Sequence, residues 1–81
     1  MSGKSVEPFR EIGRRLAAIR AEAGLTQRQL AGRISREQSW LAKLELAERR
    51  LDINDLVALA NGLQLSPAAL LHLLLPELGD L

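Results

Sequence analysis

Three side chains of this 81-residue chain, Gln38, Ser39 and Lys43, combine types and spacing that could read another molecule. An amide offers a donor beside an acceptor, a hydroxyl offers either, and an ammonium offers donors with a charge. Base edges in a DNA major groove call for these groups: an amide suits adenine N6 and N7, an ammonium suits guanine O6 and N7, and a hydroxyl suits either. Helical periodicity gathers Gln38, Ser39, Ala42 and Lys43 on one face and turns Leu41 and Leu44 to the other. Glu37 could accept from cytosine, but a negative charge near phosphates costs affinity, and its quieter role is to favour a helix N-terminus. Alone, such a face is also what an ordinary solvated helix presents, so the elements around it decide.

Two capping signals place those elements. Thr26 with Gln29 forms a capping box, and Ser35 with Gln38 repeats the pattern. A second helix is expected from Gln27 to about Ile34, with Leu30, Ala31 and Ile34 inward and Arg28 and Arg33 outward. The small Ala31 lets helices approach closely. The joint falls near Ile34 to Arg36, and two helices joined by about three or four residues at a steep angle make a helix-turn-helix, whose second helix can enter a major groove.

The stretch resembles the Cro and phage-repressor type of helix-turn-helix, the xenobiotic response element family. Its pattern is matched by Leu25-Thr26-Gln27, Leu30-Ala31, Ser39, Leu41 and Lys43-Leu44-Glu45. Arg49-Arg50-Leu51-Asp52 and the series Leu56, Leu59-Ala60, Leu63 are similar to it too, so the resemblance covers about residues 11 to 71. It implies an all-α fold, a compact five-helix, lambda-repressor-like bundle. It implies that Gln27 binds a phosphate and that Arg20 pairs with Glu45 to tie the first helix to the third. Two positions depart from the pattern: Ser35 and Ala47 stand where the family often has Gly. Because Leu46 to Arg50 are good helix formers, the third helix is expected to run about a turn past Glu45.

Arg28, Arg36 and the pair Arg49-Arg50 are expected on the DNA backbone beside Gln27, adding affinity and salt dependence without sequence preference. Trp40 is expected against sugar and backbone, or against the loop that follows the third helix.

Residues 1–7 read as a flexible arm, and residues 8–81 as one domain. Pro8 suits the start of the first helix, which carries Ile12, Leu16, Ile19 and Ala23 and stops at Gly24. Asp52 caps a fourth helix, expected over Ile53 to Asn61 with Ile53, Leu56, Val57, Leu59 and Ala60 inward and Gly62 ending it. Asp52 and Asp55 read as capping acids rather than a catalytic pair. Ser66-Pro67 opens a fifth helix that is apolar nearly all round and closes at Pro76. One helix on a four-helix core cannot bury every side, so Leu70, Leu71, Leu74, Leu75 and Leu78 are expected at an interface with a second copy. His72 has no ligand partner at metal spacing, so no metal and no cofactor is expected.

Composition narrows the classes. There is no cysteine, so disulfides and thiolate metal sites are excluded, as suits a cytoplasmic protein. No apolar run reaches the roughly 18 residues of a membrane span. The formal net charge is only +1, yet residues 1–50 hold 11 bases and six acids while residues 51–81 hold four acids and no base. One end can therefore meet phosphate while the other does something else. The expectation is a DNA-binding transcriptional regulator acting as a homodimer on a palindromic operator of double-stranded DNA. The alternative is a protein–protein module that holds a partner through the leucine-rich fifth helix. No nucleophile–base set or phosphate loop is present to suggest an enzyme.

Overall fold

The computed structural model describes residues 7–78, in which five α-helices are followed by one 3-10 turn: α1 (Glu7–Glu22), α2 (Gln27–Arg33), α3 (Gln38–Glu45), α4 (Ile53–Leu63), α5 (Pro67–Leu74) and the turn Pro76–Leu78. The expected arm lies outside the described residues apart from Glu7, which already belongs to α1. Caps set three of the helix starts. Thr26 Oγ1 accepts the Gln29 N–H at 3.0 Å while Gln29 Oε1 accepts the Thr26 N–H at 2.9 Å. Asp52 and Asp55 exchange the same pair of bonds at the start of α4, and Ser66 caps α5 ahead of Pro67. The expected Ser35 cap is not used. Glu37 occupies the N-cap position of α3 without a side-chain bond, because Ser35 is spent on ending α2.

Ser35 belongs to a pattern that recurs at four helix ends. Gly24, Ser35, Ala47 and Gln64 all have positive φ, at 77°, 59°, 61° and 61°. After each, the next N–H turns back to a carbonyl of the last helical turn: Leu25 to Arg20, Arg36 to Ala31, Glu48 to Lys43 and Leu65 to Ala60. These are Schellman ends, and only the first uses the glycine that makes them visible in a sequence. The expected extra turn of α3 is corrected accordingly: the helix stops at Glu45, and Ala47 takes the left-handed conformation instead of continuing it. An L-residue there costs about 1 kcal/mol. Replacing Ala47 with Gly is therefore expected to raise the unfolding free energy by about 1 kcal/mol in a urea titration.

Leucines fill the core. Leu16 of α1, Leu30 and Ala31 of α2, Leu41 and Leu44 of α3, Leu56, Leu59, Ala60 and Leu63 of α4, and Leu70 and Leu74 of α5 are buried together. Two expectations change here. On α4 the buried stripe runs through 56, 59, 60 and 63, which turns Ile53 and Val57 outward, 73% and 41% exposed. On α5, Leu70 and Leu74 are core residues of this chain, 0% and 1% exposed, and have no surface to give a second copy. Leu71 and Leu75 are half-buried and Leu73 is exposed; the side chain of Leu78 lies outside the described set.

Glycine permits two close approaches. A Cβ on Gly13 would stand 2.5 Å and 2.7 Å from the carbonyl oxygens of Glu45 and Leu44, so α1 lies on the end of α3 with nothing between them. Gly62 does not end α4, as expected, but lies buried inside it, where a Cβ would come within 2.9 Å of side-chain carbons of Leu30 and Ile34. α1 also holds the C-terminal end. Arg15 donates to the Leu74 carbonyl at 2.9 Å and makes two bonds of 3.0 Å to the Glu77 carboxylate.

That guanidinium holds the Glu77 carboxyl below its ordinary value, chiefly through the hydrogen bond. A depressed carboxyl favours the folded form above its unfolded pKa, and the benefit is lost as pH falls through the folded value. Acid titration is thus expected to lower the amide protection factors, taken relative to intrinsic exchange at each pH, in the 76–78 turn below the ordinary carboxylate range, and Glu77→Gln to remove that pH dependence. No single helix among the described residues is long and apolar enough to cross a membrane.

Candidate nucleic-acid interface

α2 and α3 meet at the 34–37 turn, and α3 presents Gln38, Ser39 and Lys43 to solvent. Their opposite neighbours Leu41 and Leu44 are 0% and 4% exposed, locking the helix to the core so that the outer face is held rigidly. Lys43 makes no ion pair among the described residues and stands in the last turn of α3.

A chain of polar side chains runs behind that face. Arg20 donates to both carboxylate oxygens of Glu45, at 2.6 Å and 3.0 Å, and to the Leu25 carbonyl at 2.8 Å. The pair is mostly enclosed, with 16% of the Arg20 side chain and 6% of the Glu45 side chain exposed. The bond to Glu45 raises the guanidinium above its ordinary pKa against the opposing effect of burial. Glu45 Oε1 also accepts from Gln27 Nε2 at 2.8 Å, and Gln27 Oε1 accepts from Gln38 Nε2 at 2.7 Å. The first residue of α2 is thereby bonded to the first residue of α3. Sequence reasoning missed this link; the only signal was that each glutamine follows a capping position.

Arg28, Arg36, Glu37, Gln38 and Ser39 border a notch beside the N-terminus of α3. Arg28 is exposed there. Arg36 is partly engaged within the protein: it donates to Asp55 Oδ1 at 3.2 Å, and its guanidinium carbon stands 4.6 Å from the centre of the Trp40 ring. Trp40 is half-buried against the core, and its Nε1 is enclosed without a hydrogen-bond partner. The expectation that Trp40 meets the DNA backbone is corrected to that extent, since an enclosed N–H cannot reach a phosphate. Arg49 and Arg50 are exposed in the loop after α3.

On another side of the molecule, α1, α4 and α5 enclose an apolar hollow of about 410 Å³. Ile12, Leu16, Leu56, Leu71 and Leu75 line it, with Ile53, Arg49 and Asp52 also in its walls. No group of three or more His, Cys, Asp or Glu side chains is placed to hold a metal among the described residues.

Residues 11–73 match the model of a helix-turn-helix domain family. No curated protein matches the sequence. Among solved structures, the chain is 33% identical to an XRE-family like protein from Pseudomonas syringae, with 98% of each chain covered and a TM-score of 0.77. It is 27% identical to the restriction-modification controller protein C.AhdI from Aeromonas hydrophila, covering 76% of this chain and 94% of that one, with a TM-score of 0.72. The clp gene regulator ClgR from C. glutamicum shares the fold at a TM-score of 0.76 and 23% identity, covering 91% of this chain and 96% of that one.

Proposed function

Because this chain belongs to the XRE-type helix-turn-helix family of DNA-binding transcription regulators, we propose that it recognises one duplex sequence through α3, acting as a two-fold homodimer in the cytoplasm. The observation that carries the reading is the disposition of α3, with Gln38, Ser39 and Lys43 outward over a fully buried leucine pair. Gln38 and Ser39 contact base edges at the start of the helix, and Lys43 contacts a guanine one turn later. Arg28, Arg36, Arg49 and Arg50, with the α2 end carrying Gln27, fix the register on flanking phosphates.

The second copy covers the apolar hollow. Ile53, Leu71 and Leu75 supply its exposed or half-exposed carbon, in place of the buried Leu70 and Leu74. Such a dimer places its two α3 helices about 34 Å apart, one helical turn of a palindromic site.

Selection of bound sites from random duplexes tests this. The expected result is an enriched palindrome whose affinity falls steeply between low and physiological salt. A chain that enriches no sequence, and instead retains a protein partner through α5 at any salt, would make the protein–protein module the better reading.

A further inference from the structure

The relay behind α3 does more than hold two helices together. A glutamine amide has an oxygen end and a nitrogen end of nearly equal size, so its neighbours decide which way it points. Here the decision starts at Glu45. Its carboxylate can only accept and Arg20 can only donate, so Glu45 Oε1, which takes one bond from Arg20, can add only a second donor. Gln27 must turn Nε2 to it, as it does at 2.8 Å, which aims Gln27 Oε1 at Gln38. Gln38 must then answer with its own Nε2, as it does at 2.7 Å. Reversing either amide sets oxygen against oxygen or N–H against N–H.

We propose that Glu45 is a positioning residue that fixes the polarity of the Gln38 amide, and through it a preference for adenine over guanine at the base facing Gln38. The inference rests on the reading of α3 as the base-contacting helix. With one Nε2 proton given to Gln27, Gln38 keeps its Oε1 and its second N–H for the groove. That pair matches adenine, whose N7 accepts and whose N6 donates. Guanine presents the O6 acceptor where adenine presents N6–H, so the fixed Oε1 opposes it. An amide free to reverse would lose that discrimination.

Two variants separate orientation from stability. Glu45→Gln and Arg20→Met both break the ion pair, but only Glu45→Gln replaces the acceptor-only group with one that can also donate. The site is first located as the operator position whose base preference Gln38→Ala abolishes. Competition binding with duplexes carrying adenine or guanine there is then run on both variants at a temperature where circular dichroism shows them folded. The adenine preference is expected to fall roughly tenfold in Glu45→Gln and to persist in Arg20→Met. Equal loss in both variants, or retention in Glu45→Gln, overturns the proposal.

Side-chain amide NMR of the DNA-free protein reads the relay independently of any duplex. The Gln27 and Gln38 amide proton pairs are expected to shift in Glu45→Gln and to hold their separations in Arg20→Met. Unmoved pairs in Glu45→Gln overturn the relay whatever the protein binds. If instead Gln38→Ala changes no base preference, the reading of α3 itself fails and the proposal fails with it.

Discussion

Lys43→Glu is expected to abolish specific binding, with the dissociation constant for a selected duplex rising at least roughly a hundredfold. Two effects add. The ammonium loses a charged contact to a guanine edge or a nearby phosphate, which is worth about 1–3 kcal/mol. The new carboxylate also stands inside the phosphate field, where like charges repel. The folded state should survive. Lys43 is exposed and unpaired among the described salt bridges, and its backbone carbonyl, which accepts from Glu48, is untouched. An acid in the last turn of a helix costs only about 0.3–1 kcal/mol. Fluorescence anisotropy with a parallel thermal melt checks both halves: binding lost, melting nearly unchanged. A variant that still binds within a few-fold of wild type would remove Lys43 from the reading face.

Gly13→Ala is expected to give the largest loss of stability, about 3 kcal/mol, although alanine is the better helix former by about 1 kcal/mol. The contact decides the sign. The added methyl would meet two backbone oxygens at 2.5 Å and 2.7 Å, and a backbone cannot rotate away as a side-chain tip can. α1 must move off α3, carrying Arg20 away from Glu45. Gly32 is the control, because nothing lies within 4 Å of a Cβ built there. Gly32→Ala should therefore show only the helix-propensity gain of up to about 1 kcal/mol. Urea unfolding of the two variants, opposite in sign, would establish that close approach rather than conformational freedom keeps glycine at 13. A neutral Gly13→Ala would mean that the two helices have room to separate.

Three helix starts were legible because they are local: Thr26, Asp52 and Ser66 each satisfy an N–H three residues away. The ends of α3 and α4 were not. Ser35, Ala47 and Gln64 take a left-handed conformation that their own sequences oppose, and what compels them is the packing of Leu30, Leu44 and Leu59 from separate helices into one core. A residue's local preference is worth a fraction of what those leucines contribute by burial. The same competition misled the reading of α5. Its leucines look equivalent in sequence, yet the direction in which α4 delivers the chain turns Leu70 and Leu74 inward, leaves Leu71 and Leu75 half-buried along the apolar hollow and exposes Leu73.

The chemistry of α3 could be named from residue types and spacing. The bond between Gln27 and Gln38 could not, since it depends on how closely α1 seats against α3 and on where the 34–37 turn sends the chain. Asp55 shows the same limit. Its capping role is local and readable, while its bond to Arg36 joins two helices and is not.

The most direct measurement of the central claim is amide chemical-shift mapping of the labelled protein with a selected duplex. The account predicts that shifts concentrate on residues 27–28 and 36–43, and that Ile53, Leu71 and Leu75, being covered by the second copy with or without DNA, stay in place. Shifts confined to α4 and α5, with Gln38, Ser39 and Lys43 silent, would contradict it.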